Sequence, residues 1–128
     1  MILIDTHVWI WWVSNSQKLS PARRKILDAD GEQFALSIIS CWEVAKLVEY
    51  GRLRLDRKVG PWIESALAGP GVSLLHLNPQ IVVESIQLPQ PFHRDPADQM
   101  LVATARVLQC SIMTEDSKIE AYPHVHLA

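Results

Sequence analysis

The sequence predicts an α/β protein in which a central parallel sheet of four to five short strands is flanked by helices. Short apolar segments alternate with segments that carry helix-capping residues, which is the pattern of repeated βαβ units. The apolar segments do not alternate between apolar and polar residues, as expected for strands buried on both faces. The chain has 128 residues, 48% of them hydrophobic, which fits a single domain over residues 1–128 with one core.

The first half of the chain opens with the apolar residues 2–4, which we expect to form the first strand. Ser20-Pro21 combines a favoured N-cap with a first-turn proline, and Gly51 is well placed to end a helix. The elements expected here are a strand at 2–4, a helix near 7–14, a basic helix opening at Ser20-Pro21, a strand at 33–38, and a helix from Ser40 to about Tyr50.

The second half repeats the same signals. Asn78-Pro79 and Asp95-Pro96 each combine a capping residue with a first-turn proline. The elements expected here are a helix near 60–68, a strand at 72–77, a helix near 79–87, a long helix from Asp95-Pro96 to about 108, a strand at 111–114, and a candidate fifth strand near 125–127.

Four acidic residues each follow an apolar run that we interpret as a strand: Asp5, Glu43, Asp98 and Asp116. Because the carboxyl ends of parallel strands open on one edge, these side chains are expected to converge there. Several negative charges at such short distances from one another need a positive partner. Oxygen ligands without His or Cys pairs favour Mg²⁺ or Mn²⁺, and the hydroxyls of Thr6, Ser40 and Thr114 could orient carboxylates or waters.

Each acid also has a purely structural explanation. Ser40 and Glu43 have the spacing of a capping box. Asp95 is a helix N-cap, Asp98 a first-turn acid that complements the helix dipole, and Asp5 could cap the first helix. Capping does not explain why an acid follows every strand at the same edge of the sheet. The occurrence of all four acids together therefore favours a metal site. Metal-assisted hydrolysis of a phosphodiester is the reaction that such a site favours.

Several segments in order resemble PIN-domain ribonucleases, in particular the VapC-like toxins of type II toxin–antitoxin modules. They are MILIDTHVWIWW at 1–12, SIISCWEVAK at 37–46, GRL at 51–53, PQPFHRDPADQMLVATA at 89–105 and MTED at 113–116. The resemblance implies a three-layer α/β/α PIN domain and Mg²⁺- or Mn²⁺-dependent endonucleolytic cleavage of RNA. It also implies a cognate antitoxin that blocks the site and a homodimer.

By position, Asp5, Glu43, Asp98 and Asp116 match the first to fourth acids of the family. We expect Asp5 and Asp98 to bind metal directly, with Glu43 and Asp116 acting through waters or activating the attacking water. Asp95 is interpreted mainly as the helix cap that supports this site. The chain departs from the family at Gln99, where an arginine is common.

Basic residues fall into two groups. Arg23, Arg24 and Lys25 are interpreted as a solvated helix face. Arg52, Arg54 and Arg57 follow a helix expected near the active edge, and RNA phosphate contact is as plausible for them as solvation. His93 is expected to pack in its loop, with a catalytic or phosphate-contacting role as the alternative. Trp42 is expected to pack either within the fold or against a partner.

The net charge of −2 excludes a globally basic nucleic-acid binder. There is no membrane-length apolar stretch and no basic segment of the signal-peptide type, so we expect a cytoplasmic protein. Two alternatives stay open at this point: a receiver-like signalling module that binds Mg²⁺ without cutting RNA, and a metal-dependent phosphatase. A receiver needs a phosphorylatable aspartate after the third strand, where this chain has Leu77-Asn78.

Overall fold

Strands and helices alternate along the whole chain in a computed structural model that describes residues 1–128. The elements are β1 (Ile2–Ile4), α1 (Thr6–Val13), α2 (Pro21–Asp28), β2 (Phe34–Ser37), α3 (Ile38–Glu49), α4 (Val59–Leu67), β3 (Val72–Leu75), α5 (Pro79–Ile86), α6 (Pro96–Leu108), β4 (Ser111–Met113) and α7 (Ser117–Glu120). Each predicted strand except the fifth, and each predicted helix, is present, and the short α7 was not predicted.

The four strands form one parallel sheet in the order β3-β2-β1-β4. In the register of the sheet, Leu3 of β1 lies between Ala35 of β2 and Ile112 of β4. All three are fully buried, as the uninterrupted apolar strands predicted. The candidate fifth strand is reduced to one parallel bridge between Ile112 and Leu127, so the sheet has four strands.

Apolar residues cover both faces of the sheet and form two core clusters. Helices α1 to α4 supply one cluster, in which Trp9 and Trp62 contact edge to face with ring centroids 5.2 Å apart. Helices α5 and α6, together with Ile119 of α7, supply the other. The three-layer α/β/α arrangement is confirmed.

Helix caps agree with the sequence for three helices and differ for one. Ser20, Asn78 and Asp95 cap α2, α5 and α6 with their side chains. Helix α3, however, begins at Ile38 directly after β2, and the Ser37 hydroxyl accepts its capping bond from Ile39 N at 3.1 Å. The predicted capping box of Ser40 and Glu43 is therefore wrong, and both side chains are free for other contacts.

The parallel sheet defines two opposite edges. Strand β1 ends at the carboxyl edge, where α1 begins, and β2 runs into α3 at the same edge. Each of these helices begins a two-helix connection, α1 with α2 and α3 with α4, that leads back to the amino edge, where the next parallel strand starts. No helix is both long enough and apolar enough to cross a membrane.

Candidate active site

Asp5 lies directly after β1 and is the N-cap of α1, with only 4% of its surface exposed. Its Oδ1 accepts a hydrogen bond from Thr6 N at 2.7 Å, and its Oδ2 accepts one from Thr114 Oγ1 at 2.6 Å. Burial raises the pKa of Asp5, and these two hydrogen bonds act in the opposite direction. The carboxylate is thus held in one orientation by β4 and by its own helix.

The hydroxyl of Thr6 connects α1 to α3. Thr6 Oγ1 lies 2.8 Å from Ser40 Oγ and 2.5 Å from Glu43 Oε1, and both Thr6 and Ser40 are fully buried. Burial raises the pKa of Glu43 to about 7, with the hydrogen bond from Thr6 opposing it and the charges of Asp5, Asp95 and Asp116 adding to it. No lysine or arginine forms an ion pair with Glu43.

Asp98 lies in the first turn of α6, where its backbone N–H donates to Asp95 Oδ1 at 3.1 Å. Asp95 is therefore the helix cap that the sequence predicted. Burial raises the pKa of Asp98 to about 8, helped by the charges of Asp95, Asp5, Asp116 and Glu43.

His93, for which loop packing was expected ahead of a catalytic or phosphate-contacting role, lies next to an acid of this site. Its Nε2 lies 3.1 Å from Asp98 Oδ2, yet this buried nitrogen makes no aligned hydrogen bond. Its Nδ1 accepts a hydrogen bond from Asp95 N at 3.3 Å. A neutral His93 therefore carries its proton on Nε2, facing the carboxylate. The spacing from Asp95 and Asp98 could have suggested this contact.

Asp116 is the N-cap of α7 and accepts a hydrogen bond from Lys118 N at 2.8 Å. Its own N–H donates to Thr114 Oγ1 at 2.9 Å. Because the same hydroxyl donates to Asp5, Thr114 links the carboxylate after β1 to the segment after β4. The supporting positions predicted for Thr6, Ser40 and Thr114 are thus all found in contact with the acids or with one another.

Four acids from four distant segments meet at the carboxyl edge, and we call them the acidic cluster (Asp5, Glu43, Asp98 and Asp116). Burial raises the pKa values of Glu43 and Asp98, and the charges of the other acids add to this effect. The expectation that each acid follows a strand is correct for Asp5 and Asp116. It is wrong for Glu43 and Asp98, which lie in the first two turns of helices α3 and α6. They reach the same edge because these helices begin there.

The structure does not bring Arg52, Arg54 and Arg57 to the acidic cluster. They follow the C-terminal end of α3, which has returned toward the amino edge. Arg54 and Arg57 line a cavity together with Val13 at the far end of α1. The expected position near the active edge is wrong, because it ignored the return direction of the helix.

The first basic group also differs from its interpretation as a solvated face. Arg23 is only half-exposed, and its guanidinium lies 3.1 Å from Glu115 Oε1 and 3.6 Å from Glu120 Oε1. Arg24 Nη2 donates to Ser16 O at 2.7 Å. Both arginines therefore connect α2 to neighbouring segments.

The acidic cluster contains the oxygen donors that a hard divalent cation prefers. No three His, Cys, Asp or Glu side chains are gathered closely enough to form a complete cage. Mg²⁺ is usually held by one or two carboxylates together with waters and substrate oxygens, so a complete cage is not required. Buried, mutually repelling carboxylates without a lysine or arginine partner fit such an ion.

Residues 2–125 match the family described as "PIN domain", and the chain belongs to this family. It is 29% identical over 123 residues to Ribonuclease VapC22 of Mycobacterium tuberculosis, across 96% of this chain and 92% of that protein.

Solved structures with low identity share the fold. VapC20 of Mycobacterium tuberculosis, titled a sarcin-ricin loop cleaving toxin, superposes with a TM-score of 0.73 at 14% identity, covering 99% of this chain and 98% of that chain. VapBC2 of Rickettsia felis, bound to a promoter DNA fragment, gives 0.70 at 14% identity, covering 100% and 98%. A toxin–antitoxin complex of Klebsiella pneumoniae gives 0.68 at 20% identity, covering 98% and 95%. The strand order β3-β2-β1-β4 also differs from the 2-1-3-4-5 order of receivers, so the receiver-like alternative loses its support.

Proposed function

We propose that this chain is a Mg²⁺- or Mn²⁺-dependent endoribonuclease and the toxin of a toxin–antitoxin module. The observation that carries the proposal is the acidic cluster itself. Four carboxylates from remote segments meet at one edge of the sheet, and burial and mutual repulsion raise the pKa of Asp98 to about 8. Clustered acids with perturbed pKa values are characteristic of functional sites. Kinship with a protein named Ribonuclease VapC22 supports RNA as the substrate.

Asp5 and Asp98 are the proposed metal ligands. Asp5 is fixed by hydrogen bonds from Thr6 N and Thr114 Oγ1, so a bound ion would find an oriented ligand. Asp98 lies in the first turn of α6, which is anchored in the core through Leu101, Val102 and Ala105. A divalent ion held here would lower the pKa of a bound water and offset charge that develops on the phosphate oxygens.

Glu43 is the proposed proton acceptor for the attacking water. Its Oε1 is occupied by the Thr6 hydroxyl, which leaves Oε2 to take a proton. With a pKa of about 7, Glu43 has the basicity that general acid–base catalysis near neutral pH requires. Asp116 lies beside it and would orient water through its free carboxylate oxygen.

The remaining expectations concern assembly. Toxin–antitoxin complexes from several bacteria share the fold of this chain, which supports a cognate antitoxin that blocks the acidic cluster. We propose further that the chain forms a single PIN domain over residues 1–128 and assembles as a homodimer. RNA contacts of Arg52, Arg54 and Arg57 belong to the same proposal, for a substrate long enough to extend beyond the acidic cluster to the far end of α3.

The test is cleavage of a structured RNA by the purified protein in Mg²⁺, in Mn²⁺ and in EDTA. We expect cleavage with either metal and none with EDTA. Asp5→Asn keeps the shape of the side chain and removes its charge, so it should lower the rate at least about 100-fold, more than the loss of an outer-shell partner. Glu84→Gln is the control, because Glu84 is a partly buried acid that is paired with Arg106 elsewhere in the fold. Cleavage by Asp5→Asn at the wild-type rate would disprove the assignment.

A further inference from the structure

The outward face of α3 carries two exposed aromatic rings with a lysine between them. Trp42 is 51% exposed and Tyr50 63% exposed. Lys46 Nζ lies 5.9 Å from the centroid of the Trp42 ring and 5.5 Å from that of Tyr50. We call these three residues, which succeed one another at intervals of one helical turn, the aromatic stripe (Trp42, Lys46 and Tyr50).

The fold itself does not require the aromatic stripe. Helix α3 is anchored to the core by its opposite face, through Ser40, Cys41 and Val44. The expectation that Trp42 packs within the fold is not met, because half of its surface remains open. Large aromatic rings exposed next to each other mark a binding surface more often than a structural one.

The aromatic stripe begins at the acidic cluster. Trp42 immediately precedes Glu43 in the chain, and Lys46 lies one turn after it, so the stripe starts next to Glu43, on the adjacent face of the helix. From Trp42 to Tyr50 the helix advances about 12 Å. Beyond its end follows Arg52, which is exposed and has no ion-pair partner. The surface thus leads from the proposed cleavage site toward the predicted RNA-binding arginines.

We infer that the aromatic stripe binds single-stranded RNA and guides it to the acidic cluster. This inference rests on the proposed function and names the part of the surface that holds the substrate. Bases of any sequence can stack on exposed Trp and Tyr rings, and nearby cations contact the phosphates. Trp and Tyr are enriched and Lys is depleted at protein–protein interfaces, so composition fits either partner, and the position of the stripe next to Glu43 favours RNA.

The probe is a fluorescein-labelled, unstructured RNA of about twelve nucleotides, titrated with the protein in EDTA so that no cleavage occurs. Trp42→Ala and Tyr50→Ala should each weaken binding roughly tenfold, the loss expected for one stacked base. Trp42→Phe, which keeps a ring, should stay within about twofold of wild type by the same reasoning. Lys46→Gln should reduce the slope of log affinity against log salt by about 0.7.

Ile86→Ala is the matched control, because Ile86 is 77% exposed and lies on α5 at the other face of the sheet. It should leave RNA affinity unchanged. Thermal unfolding of each variant checks that the fold is retained, which is expected because the replaced rings are mostly in solvent. In cleavage reactions, Trp42→Ala should raise KM and leave kcat nearly unchanged, since the ring binds RNA away from the reacting atoms.

Unchanged RNA affinity in both Trp42→Ala and Tyr50→Ala would overturn the inference. It would equally be overturned if Trp42→Ala altered only the sedimentation of the protein or its antitoxin complex, because the stripe would then be a protein interface. If wild type cleaves no RNA but Trp42→Ala still weakens RNA binding, the inference stands and the proposed function fails. If wild type cleaves RNA and the stripe variants bind and cleave RNA normally, the proposed function stands and the inference about the aromatic stripe fails.

Discussion

Partly buried carboxylates have opposite surroundings in two regions of this molecule: an arginine lies beside the carboxylate between α5 and α6, whereas none lies beside the acidic cluster. Glu84 of α5 is paired with Arg106 of α6, with Nε 2.8 Å from Oε1, and Arg106 also donates to His124 O at 2.7 Å. In the acidic cluster, Glu43 and Asp98 are similarly buried, but neither lies within ion-pair distance of an arginine or lysine. Only the imidazole of His93 approaches Asp98.

We expect this difference to separate structural acids from functional ones. An acid that serves packing alone is stabilised by a cation placed beside it, as between α5 and α6. Several uncompensated acids at one edge raise the free energy of the folded state, and a fold keeps such an arrangement where a site needs it. The paired region therefore supplies controls for the unpaired one.

The largest effect is expected at the hydroxyl that joins Asp5's helix to Glu43. Thr6→Val keeps the volume of the side chain and removes the oxygen that contacts both Ser40 and Glu43. We expect the cleavage rate to fall about 10- to 100-fold, as for other outer-shell partners of metal sites. Thr6→Ser restores the oxygen and should recover most of the activity. Equal activity of the Val and Ser variants would show that Glu43 needs no orienting partner.

The second prediction is that removing one carboxylate charge has opposite effects on the free energy of unfolding in the two regions. Asp98→Asn removes a repelled charge, so it should raise the free energy of unfolding of the metal-free protein by about 1–2 kcal/mol at pH 8. Glu84→Gln weakens a partly exposed ion pair and should lower it by up to about 1 kcal/mol. Denaturant unfolding in EDTA measures both. Destabilisation by both variants would mean that the acids of the cluster are compensated after all.

The third prediction concerns pH and metal. The pKa of Asp98 is raised from 3.8 to about 8 and that of Glu43 from 4.5 to about 7. Between its ordinary and its raised pKa, each group holds more proton in the folded protein than in the unfolded chain. The stabilisation by these two groups is therefore lost progressively from about pH 4 and is gone above about pH 8. Without metal, raising the pH to 8 should lower the thermal midpoint of wild type by a few degrees more than it lowers the midpoint of Asp98→Asn.

Added Mg²⁺ or Mn²⁺ should reverse that fall, because an ion bound only by the folded state stabilises it. The rescue should be largest at high pH, where the carboxylates are ionised, and should be absent in Asp98→Asn. A melting curve for wild type that shows no response to either ion at pH 8 would argue against a metal at Asp98.

The sequence predicted the layers and most elements, because buried parallel strands and proline-containing caps have strong local signals. Asn78-Pro79 and Asp95-Pro96 placed the starts of α5 and α6 correctly. The start of α3 was misplaced because β2 continues into the helix without a loop, so Ser37, not Ser40, became the cap. Local signals do not encode such a direct strand–helix junction.

The acids of the site and the hydroxyls of Thr6, Ser40 and Thr114 could be named from the sequence, whereas the pairing of each hydroxyl with its acid could not. Asp5 and Asp116 follow strands, and that pattern is visible in one dimension. The contact of Thr114 with Asp5 spans 109 positions, and the contact of His93 with Asp98 depends on the path of a proline-containing loop. The positions of Arg52 and Arg57 were misjudged for the same reason, since the direction of a returning helix follows from the whole topology.

The smallest effect is expected at Arg23. This residue forms structural ion pairs, but one of its partners is next to an acid of the acidic cluster in the chain. It pairs with Glu115, the neighbour of Asp116, and with Glu120 of α7. As a half-exposed pair, it should contribute less than about 1 kcal/mol to stability, so Arg23→Gln should shift the unfolding midpoint slightly and less at high salt. If Arg23 only anchors α7, cleavage should remain within about twofold of wild type. A large loss of cleavage with an unchanged midpoint would instead place this arginine in the site, and the division into paired structural acids and unpaired functional acids would then fail at Glu115.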